Sequence, residues 1–356
     1  MEVLLGKTLS ELQDVAQRVG LQKYAGKQLA EWLYVKRVCS FEEMTNISLK
    51  GREALKMQYT VGRHTPVREA VSVDGTRKYL FEVKEDPSPI TNHQSRFIET
   101  VYIPEDDRAT LCVSTQAGCK MGCRFCMTGT LGFHGHLSAA EILNQIFEID
   151  ALAVADGREP LSNIVYMGEG EPMDNIDYVL RSLEIMTANY GCGWSSKRIT
   201  VSTVGVPAMK RFLEESECHL AVSLHNPFCS ERAEIMPAER LFSIREVIDL
   251  LKQYDWSHQR RVSFEYICWA GQNDTPRHAK ELLRLLKGLS CRVNLIRFHA
   301  GVEDIKNGRR FPTSDNKQME WLRDYLTDNG LTTTIRRSRG EDILAACGML
   351  VNSLTI

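Results

Sequence analysis

Residues 110–126 read TLCVSTQAGCKMGCRFC, a run of β-branched residues that leads directly into three cysteines. The segment TLCVST (110–115) is typical of a buried strand. Cys119, Cys123 and Cys126 follow it in the spacing CxxxCxxC. Three thiolates in this spacing suit three corners of an iron–sulfur cubane and leave its fourth iron without a protein ligand. The stretch therefore predicts one 4Fe-4S cluster at the end of a strand.

Zinc is the alternative metal for these thiols. A structural zinc ion takes four ligands, and His134 or His136 could supply the fourth. The place of the motif favours the cluster, because the loop after a barrel strand is where catalytic groups collect.

Outward from this stretch, strand-like and helical patterns alternate. The further strand-like runs are 163–168, 198–203, 219–224, 261–267, 292–298 and 332–337. The amphipathic segments are 138–154, 175–188, 206–215, 242–254, 276–287 and 315–328. Ser138 and Glu141 form a capping-box pattern at the first of them. Such alternation predicts an α/β fold, a partial TIM-type (β/α)6 barrel whose site lies at the carboxyl ends of its strands.

The ends of the chain differ from this pattern. Helical patterns at 8–19 and 27–38 precede a strand signal at 77–83. We expect three regions: a small, mainly helical accessory domain of the RNA-binding type (1–95), the barrel (96–330), and a last strand with a C-terminal tail (331–356).

Composition narrows the class of protein. The 356 residues include 44 Lys and Arg against 46 Asp and Glu, a formal charge of −2 that weighs mildly against a nucleic-acid partner. A signal-peptide pattern and a long apolar run are both missing, so we expect a cytoplasmic protein with no membrane partner. Eleven cysteines in that setting indicate metal or redox chemistry.

Several motifs occur in order over most of the barrel and tail: TLCVSTQAGCKMGCRFCMTG, MGEGEP, RITVSTVGVP, LAVSLHNP, VNLI and RSRGEDILAACGML. Together they resemble the RlmN/Cfr family of radical-SAM (S-adenosylmethionine) dual-methylating RNA methyltransferases, and most closely its RlmN branch. The resemblance implies a 4Fe-4S cluster and SAM as cofactors. It implies methylation of C2 of adenine 2503 in 23S ribosomal RNA and leaves adenine 37 of transfer RNA open as a second substrate. It also implies an electron donor such as flavodoxin, and nothing demands more than a monomer.

The resemblance gives roles to three residues outside the cluster motif. Cys347, in the tail, would take a methyl group from one SAM, and a radical made from a second SAM would then activate that methyl group for addition to the adenine. Cys112 would release the product by forming a transient disulfide with Cys347. Glu99, in FIETVYIPE ahead of the first barrel strand, would be the proton acceptor.

The same resemblance implies a set of contacts to SAM. The expected residues are Gly170, Glu171, Ser202, Ser223, Leu224, His225 and His299. A carboxylate such as that of Glu171 can accept hydrogen bonds from the SAM ammonium. His299 departs from the family pattern, because Arg297-Phe298-His299 stands where many members have Pro-Trp-Asn.

The sequence does not single out the residues that would contact RNA, and it leaves rival functions open. Phosphate contacts could come from Lys120, Arg124, Arg336, Arg337 and Arg339, each of which could equally be a solvated charge. One rival is methylation of C8 of the same ribosomal adenine, which would use the same cysteines. Another is a non-catalytic iron–sulfur or zinc protein that binds RNA as a redox sensor.

Overall fold

The structure, a computed structural model, describes residues 1–83, 96–256, 262–299, 303–304 and 309–350. For residues 303–304 and 309–310 it describes the backbone alone. The strands are β1 Glu2–Val3, β2 Tyr59–Thr60, β3 Arg68–Val71, β4 Arg77–Glu82, β5 Phe97–Glu105, β6 Arg108–Cys112, β7 Gln116–Gly118, β8 Phe133–His136, β9 Leu161–Tyr166, β10 Ile199–Thr203, β11 His219–Ser223, β12 Val262–Cys268, β13 Cys291–Arg297, β14 Glu303–Asp304, β15 Arg309–Arg310 and β16 Thr333–Ile335. The α-helices are α1 Leu9–Arg18, α2 Ala25–Ala30, α3 Leu49–Gln58, α4 Thr128–Leu131, α5 Ala139–Ala155, α6 Ile176–Thr187, α7 Met209–Glu215, α8 Cys229–Ile235, α9 Ile244–Gln253, α10 Pro276–Leu285 and α11 Asn316–Asp328. A π-helical turn at Glu31–Val35 continues α2.

Ten of these strands form one open sheet in the order β16-β13-β12-β11-β10-β9-β6-β5-β4-β3. Every neighbouring pair from β6 to β16 is parallel. Parallel neighbours need a crossover, and the helices between these strands provide it. The predicted α/β partial barrel is confirmed, since each of its seven strand-like runs overlaps a parallel strand.

Helix α5 connects the cluster region to β9 and is buried along most of its length. Its N-cap is the predicted one, because the Ser138 hydroxyl accepts the Glu141 amide hydrogen bond at 3.2 Å. The Glu141 carboxylate does not return to the cap as a capping box requires; it contacts His64 Nε2 at 3.0 Å. In the part of the chain that the structure describes, no helix is long and apolar enough to cross a membrane.

Segments between the N-terminal helices and strands contact α5. Arg63 Nε contacts Glu148 Oε1 at 2.5 Å, with both side chains nearly buried. Gly6 has φ +82°, and a Cβ there would lie 2.6 Å from the Ala140 amide nitrogen. The close approach of the two backbones explains why glycine is needed at this position.

The sheet extends beyond the predicted barrel. Strands β3, β4 and β5 pair antiparallel and join the sheet through β6. Glu99 therefore lies inside strand β5, whereas the sequence pattern suggested a position ahead of a strand. Strands β3 and β4, which precede residue 95, and β5, which follows it, belong to one sheet. The division into three regions at residues 95 and 330 stays a prediction.

Candidate active site

One cavity of about 1110 Å³ follows the parallel strands from their amino ends, at residues such as Arg198 and Arg292, to the loops at their carboxyl ends. All three cysteines of the cluster motif line it, as do Cys112 and Cys347. The predicted SAM contacts that line it are Gly170, Glu171, Ser202, Ser223, His225 and His299. Leu224 and Glu99 are not part of its lining. The fold thus collects most of the predicted site residues, although they come from six separate segments of the chain.

The cluster loop is held in a fixed course by backbone hydrogen bonds. The Cys119 amide donates to the Gly132 carbonyl at 2.8 Å, and the Arg124 amide donates to the Ile235 carbonyl at 2.9 Å. Burial raises the pKa of Cys119 to about 12 and also raises the pKa of Cys123 and Cys126. Such thiols ionise at neutral pH when bound iron stabilises the thiolates.

The residues around the three cysteines of the motif bear on which metal group they could hold. Within the described ranges, no group of three or more His, Cys, Asp or Glu side chains could hold one metal ion. His134 Nε2 contacts the Leu131 carbonyl at 2.8 Å, and His136 Nδ1 contacts Gln116 Nε2 at 3.1 Å. Ligands of a cubane bind different irons and so lie farther apart than ligands of one ion. The three thiols line one cavity, where they could each bind one iron of a cluster.

Glu171 lies buried beside the cluster loop. Its carboxylate accepts hydrogen bonds from the Met173 amide at 3.1 Å and the Val204 amide at 2.9 Å. Burial raises the pKa of Glu171 to about 7, against the lowering effect of these hydrogen bonds. A carboxylate fixed in this way can orient a ligand ammonium group.

Gly170 makes room for a neighbouring side chain, and its close approach to SAM stays a prediction. It has φ +95°, and a Cβ there would lie 2.5 Å from Cβ of Gln116. The Gln116 side chain needs this space because its Oε1 accepts the Glu171 amide hydrogen bond at 2.9 Å. Gln116, the first residue of strand β7, supports Glu171 and was missed by the sequence analysis, because a glutamine directly after the predicted strand 110–115 gave no signal of its own.

His225 is buried and neutral. Burial and the nearby Arg232 lower the pKa of His225 to about 3. Its Nδ1 accepts a hydrogen bond from the Ile267 amide at 3.1 Å. Because Nδ1 is an acceptor here, the proton of the neutral ring lies on Nε2, which makes Nε2 a hydrogen-bond donor.

Arg232 connects the ends of two strands beside the cavity and was also missed. Its side chain is fully buried and pairs with the Glu239 carboxylate. It donates to the carbonyls of Val204 at 2.6 Å, Ser223 at 2.8 Å and Leu224 at 3.0 Å. Leu224 thus takes part through its backbone, since its side chain lies in the hydrophobic core.

Ser202 and His299 are engaged by the protein itself. The Ser202 hydroxyl donates to the Tyr166 carbonyl at 2.8 Å. His299 Nε2 lies 2.6 Å from Ser338 Oγ, and its Nδ1 lies 3.2 Å from Glu341 Oε2. His299 therefore connects strand β13 to the tail.

The two remaining thiols differ in environment. Cys112 is 8% exposed, and burial raises its pKa to about 12, whereas Cys347 is exposed on the tail. Arg336 acts in the opposite direction and lowers the pKa of Cys112. The structure brings these two cysteines to one cavity from positions 235 residues apart in the sequence.

Glu99 lies beneath the tail, next to an unexpected partner. Its carboxylate is 2.9 Å from Lys78 Nζ, and both side chains are 1% exposed.

Three candidate RNA contacts are also engaged in ion pairs: Lys120 with Asp174 at 2.7 Å, Arg336 with Glu265 at 3.4 Å and Arg339 with Asp74 at 3.9 Å.

Comparison with known proteins identifies the family. Residues 3–61 match the family model of the ribosomal RNA large subunit methyltransferase N-terminal domain, and residues 113–286 match that of the radical SAM superfamily. The chain is 58% identical over 350 residues to a probable dual-specificity RNA methyltransferase RlmN from Bacteroides fragilis, covering 98% of this chain and 95% of that protein. It is 39% identical to the dual-specificity RNA methyltransferase RlmN of Rhodopseudomonas palustris, covering 98% of this chain and 88% of that protein. A crystal structure of a radical SAM methyltransferase from Sphaerobacter thermophilus superposes with a TM-score of 0.87 at 35% identity, covering 99% of this chain and all of that one. The chain belongs to the RlmN family of radical-SAM dual-specificity RNA methyltransferases.

Proposed function

We propose that this chain methylates C2 of adenine 2503 in 23S ribosomal RNA, and adenine 37 of transfer RNA as a second substrate, using two molecules of SAM. The observation that carries the proposal is that Cys112 and Cys347 line the same cavity as the three cluster cysteines. The description of the relatives as dual-specificity RNA methyltransferases supports two RNA substrates.

The two thiols would divide the chemistry between them. When bound, the cluster and SAM supply a carbon radical, which an unactivated ring carbon such as adenine C2 requires. Cys347, exposed on the tail, would take a methyl group from SAM and carry it to the base. Cys112 would then bond to the Cys347 sulfur as the bond between that sulfur and the new base carbon breaks. The resulting disulfide would be reopened by an external reductant.

Glu99 would accept the proton that leaves the adenine carbon. It lies on strand β5 two residues from Val101, and Val101 pairs directly with Cys112 on strand β6. Alternate residues of a strand point to the same face. Glu99 and Cys112 are therefore expected to share one face of the sheet, the face that the tail covers.

The charge of the cavity supports an RNA substrate. Its lining includes eight basic side chains, Arg108, Lys197, Arg198, Arg292, Arg297, Arg336, Arg337 and Arg339. The acidic side chains in the same lining are three, Glu105, Glu171 and Glu265. Four of these basic side chains, Arg297, Arg336, Arg337 and Arg339, lie at the carboxyl ends of the strands. They would give RNA phosphates a local positive surface on a chain whose net charge is −2.

The proposal also covers the N-terminal domain, the oligomeric state, the cellular location and the electron donor. Residues 1–95 would form the RNA-binding-type domain, which the match of residues 3–61 to the N-terminal domain family supports. The protein would act as a monomer in the cytoplasm, with flavodoxin or a similar donor supplying electrons.

Mass mapping of the RNA product tests the proposal. Cluster-loaded protein is incubated anaerobically with SAM, a reductant and a 23S ribosomal RNA fragment. We expect a methyl group on C2 of the target adenine together with 5′-deoxyadenosine. A methyl group on C8 alone would overturn the C2 assignment, and lack of 5′-deoxyadenosine would favour a non-catalytic RNA-binding sensor.

Variants of single cysteines test the division of labour. Cys112→Ala is expected to accumulate a covalent protein–RNA adduct, because no thiol resolves the bond to Cys347. Cys218→Ala is the matched control, since Cys218 is buried in the core and does not line the cavity. Adduct formation by both variants or by neither contradicts the resolving role of Cys112.

A further inference from the structure

The tail that carries Cys347 contacts a hairpin far away in the sequence. We call residues 336–350 the tail, and strands β3 and β4 with their connecting turn (68–82) the hairpin seat. The Asp74 carboxylate accepts a hydrogen bond from the Gly340 amide at 3.0 Å. The Asp342 carboxylate accepts one from the Val73 amide at 3.1 Å and another from the Ser72 hydroxyl. These contacts join the turn of the hairpin seat to the first part of the tail.

The face of the sheet beneath the tail adds apolar contacts. Ala70, Lys78, Val101 and Cys112 are successive partners across β3, β4, β5 and β6, so they form one row on one face. Three members of this row pack with the tail: Ala70, Val101 and Cys112 share a buried cluster with Ile343, Ala345 and Leu350. Lys78, the fourth member, donates from Nζ to the Leu344 carbonyl at 3.5 Å.

The backbone of the tail is shaped to this surface. Gly340 has φ +64°, and a Cβ there would lie 2.8 Å from the Ala345 Cβ and 2.9 Å from the Thr76 Cγ2. Leu344 has φ +53°, a conformation that is uncommon for a residue with a side chain. Non-glycine residues keep such conformations when the surrounding contacts determine them.

The other end of the tail is fastened to the cluster region. The Met127 amide donates to the Gly348 carbonyl at 2.8 Å. The Thr128 hydroxyl donates to the Leu350 carbonyl at 2.9 Å. Cys347 thus lies between two attachment points, one on the hairpin seat and one on the segment that follows the cluster loop.

We propose that the hairpin seat positions the Cys347 thiol against Cys112, with Asp74 and Lys78 as positioning residues. The catalytic value of this arrangement rests on the proposed function, but the positioning itself can be measured without RNA or SAM. Attaching the tail on both sides raises the effective concentration of one thiol at the other. Losing the attachment to the hairpin seat lowers that concentration and weakens the Cys112–Cys347 disulfide.

Equilibration with glutathione measures this effective concentration. Two protein thiols and one oxidised glutathione exchange to give one protein disulfide and two reduced glutathiones. The cluster-loaded protein is equilibrated anaerobically in a series of glutathione redox buffers. The Cys112–Cys347 peptide pair is then quantified by mass spectrometry, which separates it from the other cysteines.

Asp74→Asn is the test variant, because it keeps the size of the side chain but leaves one acceptor oxygen, which cannot serve the Thr76 and Gly340 amides together. We expect the equilibrium constant of the disulfide to fall about fivefold. Glu69→Gln is the matched control, since Glu69 belongs to the same hairpin and contacts Arg77 at 2.6 Å. Its expected change is below about twofold.

Gly340→Ala tests the same contact from the tail. The added methyl group meets Thr76 and Ala345, so we expect a fall in the disulfide equilibrium of at least the same size. Hydrogen exchange in tail peptides is a second measurement, and it should be faster in Asp74→Asn than in Glu69→Gln.

The proposal for the hairpin seat and the proposed function can be refuted independently of each other. Equal disulfide equilibria and equal tail exchange in wild type, Asp74→Asn and Gly340→Ala overturn the hairpin seat. RNA recovered with no methyl group on C2 overturns the proposed function and leaves the comparison of these equilibria unaffected.

Discussion

Replacing Lys78 with methionine removes the ammonium group that faces the Glu99 carboxylate inside the sheet. The two charged atoms are 2.9 Å apart, and both side chains are 1% exposed. Methionine keeps the length of the side chain, so the change tests charge more than packing. Removing one partner of a buried ion pair costs about 3–5 kcal/mol, because the other charge stays in a poorly solvated place. We expect Lys78→Met to lower the free energy of unfolding by about that amount.

Equilibrium urea unfolding of the cluster-loaded protein, followed by circular dichroism, measures this change. The double variant Lys78→Met with Glu99→Gln removes both charges, and we expect it to recover most of the lost stability. Arg108→Met is the control, because its exposed pair with Glu105 on the neighbouring strands contributes about 0–1 kcal/mol. Equal losses for the Lys78 and Arg108 variants, or a double variant no more stable than Lys78→Met, would refute the reasoning.

Three further predictions concern residues beside the cavity. Because the pKa of Glu171 is raised from 4.5 to about 7, the ligand-free protein should lose about 3 kcal/mol of stability as pH rises from 4.5 to 7. Glu171→Gln should flatten that slope in urea unfolding. Arg232→Met should cost about 3–5 kcal/mol, since Glu239 stays buried, and should lower the thermal midpoint. Gly170→Ala should cost about 1–3 kcal/mol through backbone strain and contact with Gln116, and should weaken SAM binding in titration calorimetry.

The parallel part of the fold could be predicted because one face of each strand is buried in the core. Such strands appear in the sequence as short runs rich in β-branched residues, separated by amphipathic segments. Strand β5 was missed because FIETVYIPE contains Glu99, and a charged residue normally indicates solvent. The ion pair of Glu99 with Lys78 removes that objection, but the two residues are 21 positions apart and no sequence pattern indicated the pairing.

The sequence motifs predicted which residues collect at the cavity, but they did not predict contacts between distant parts of the chain. Ser223 and Leu224 show that a motif does not tell which of its side chains faces the cavity. Both lie in LAVSLHNP, yet the alternation along a strand directs Ser223 to the cavity and Leu224 to the core. His299 shows that contacts with distant residues could not be predicted. Its partners are Ser338 and Glu341 of the tail, which no local pattern connects to strand β13.

The two thiols of the cavity have environments that match different tasks. A thiol that resolves an adduct must wait unreacted until its partner arrives, and a buried thiol with a high pKa is slow to react. Cys112 is such a thiol, fixed in strand β6 with its pKa raised to about 12. A thiol that carries a group has to meet more than one reactant, which an exposed position on a tail allows. Cys347 has that position, and the contacts that hold its tail are a few hydrogen bonds and a small apolar cluster. The proposed function would require the tail to leave the hairpin seat for methyl transfer and to return to Cys112 for release of the product, and contacts of this number would allow both.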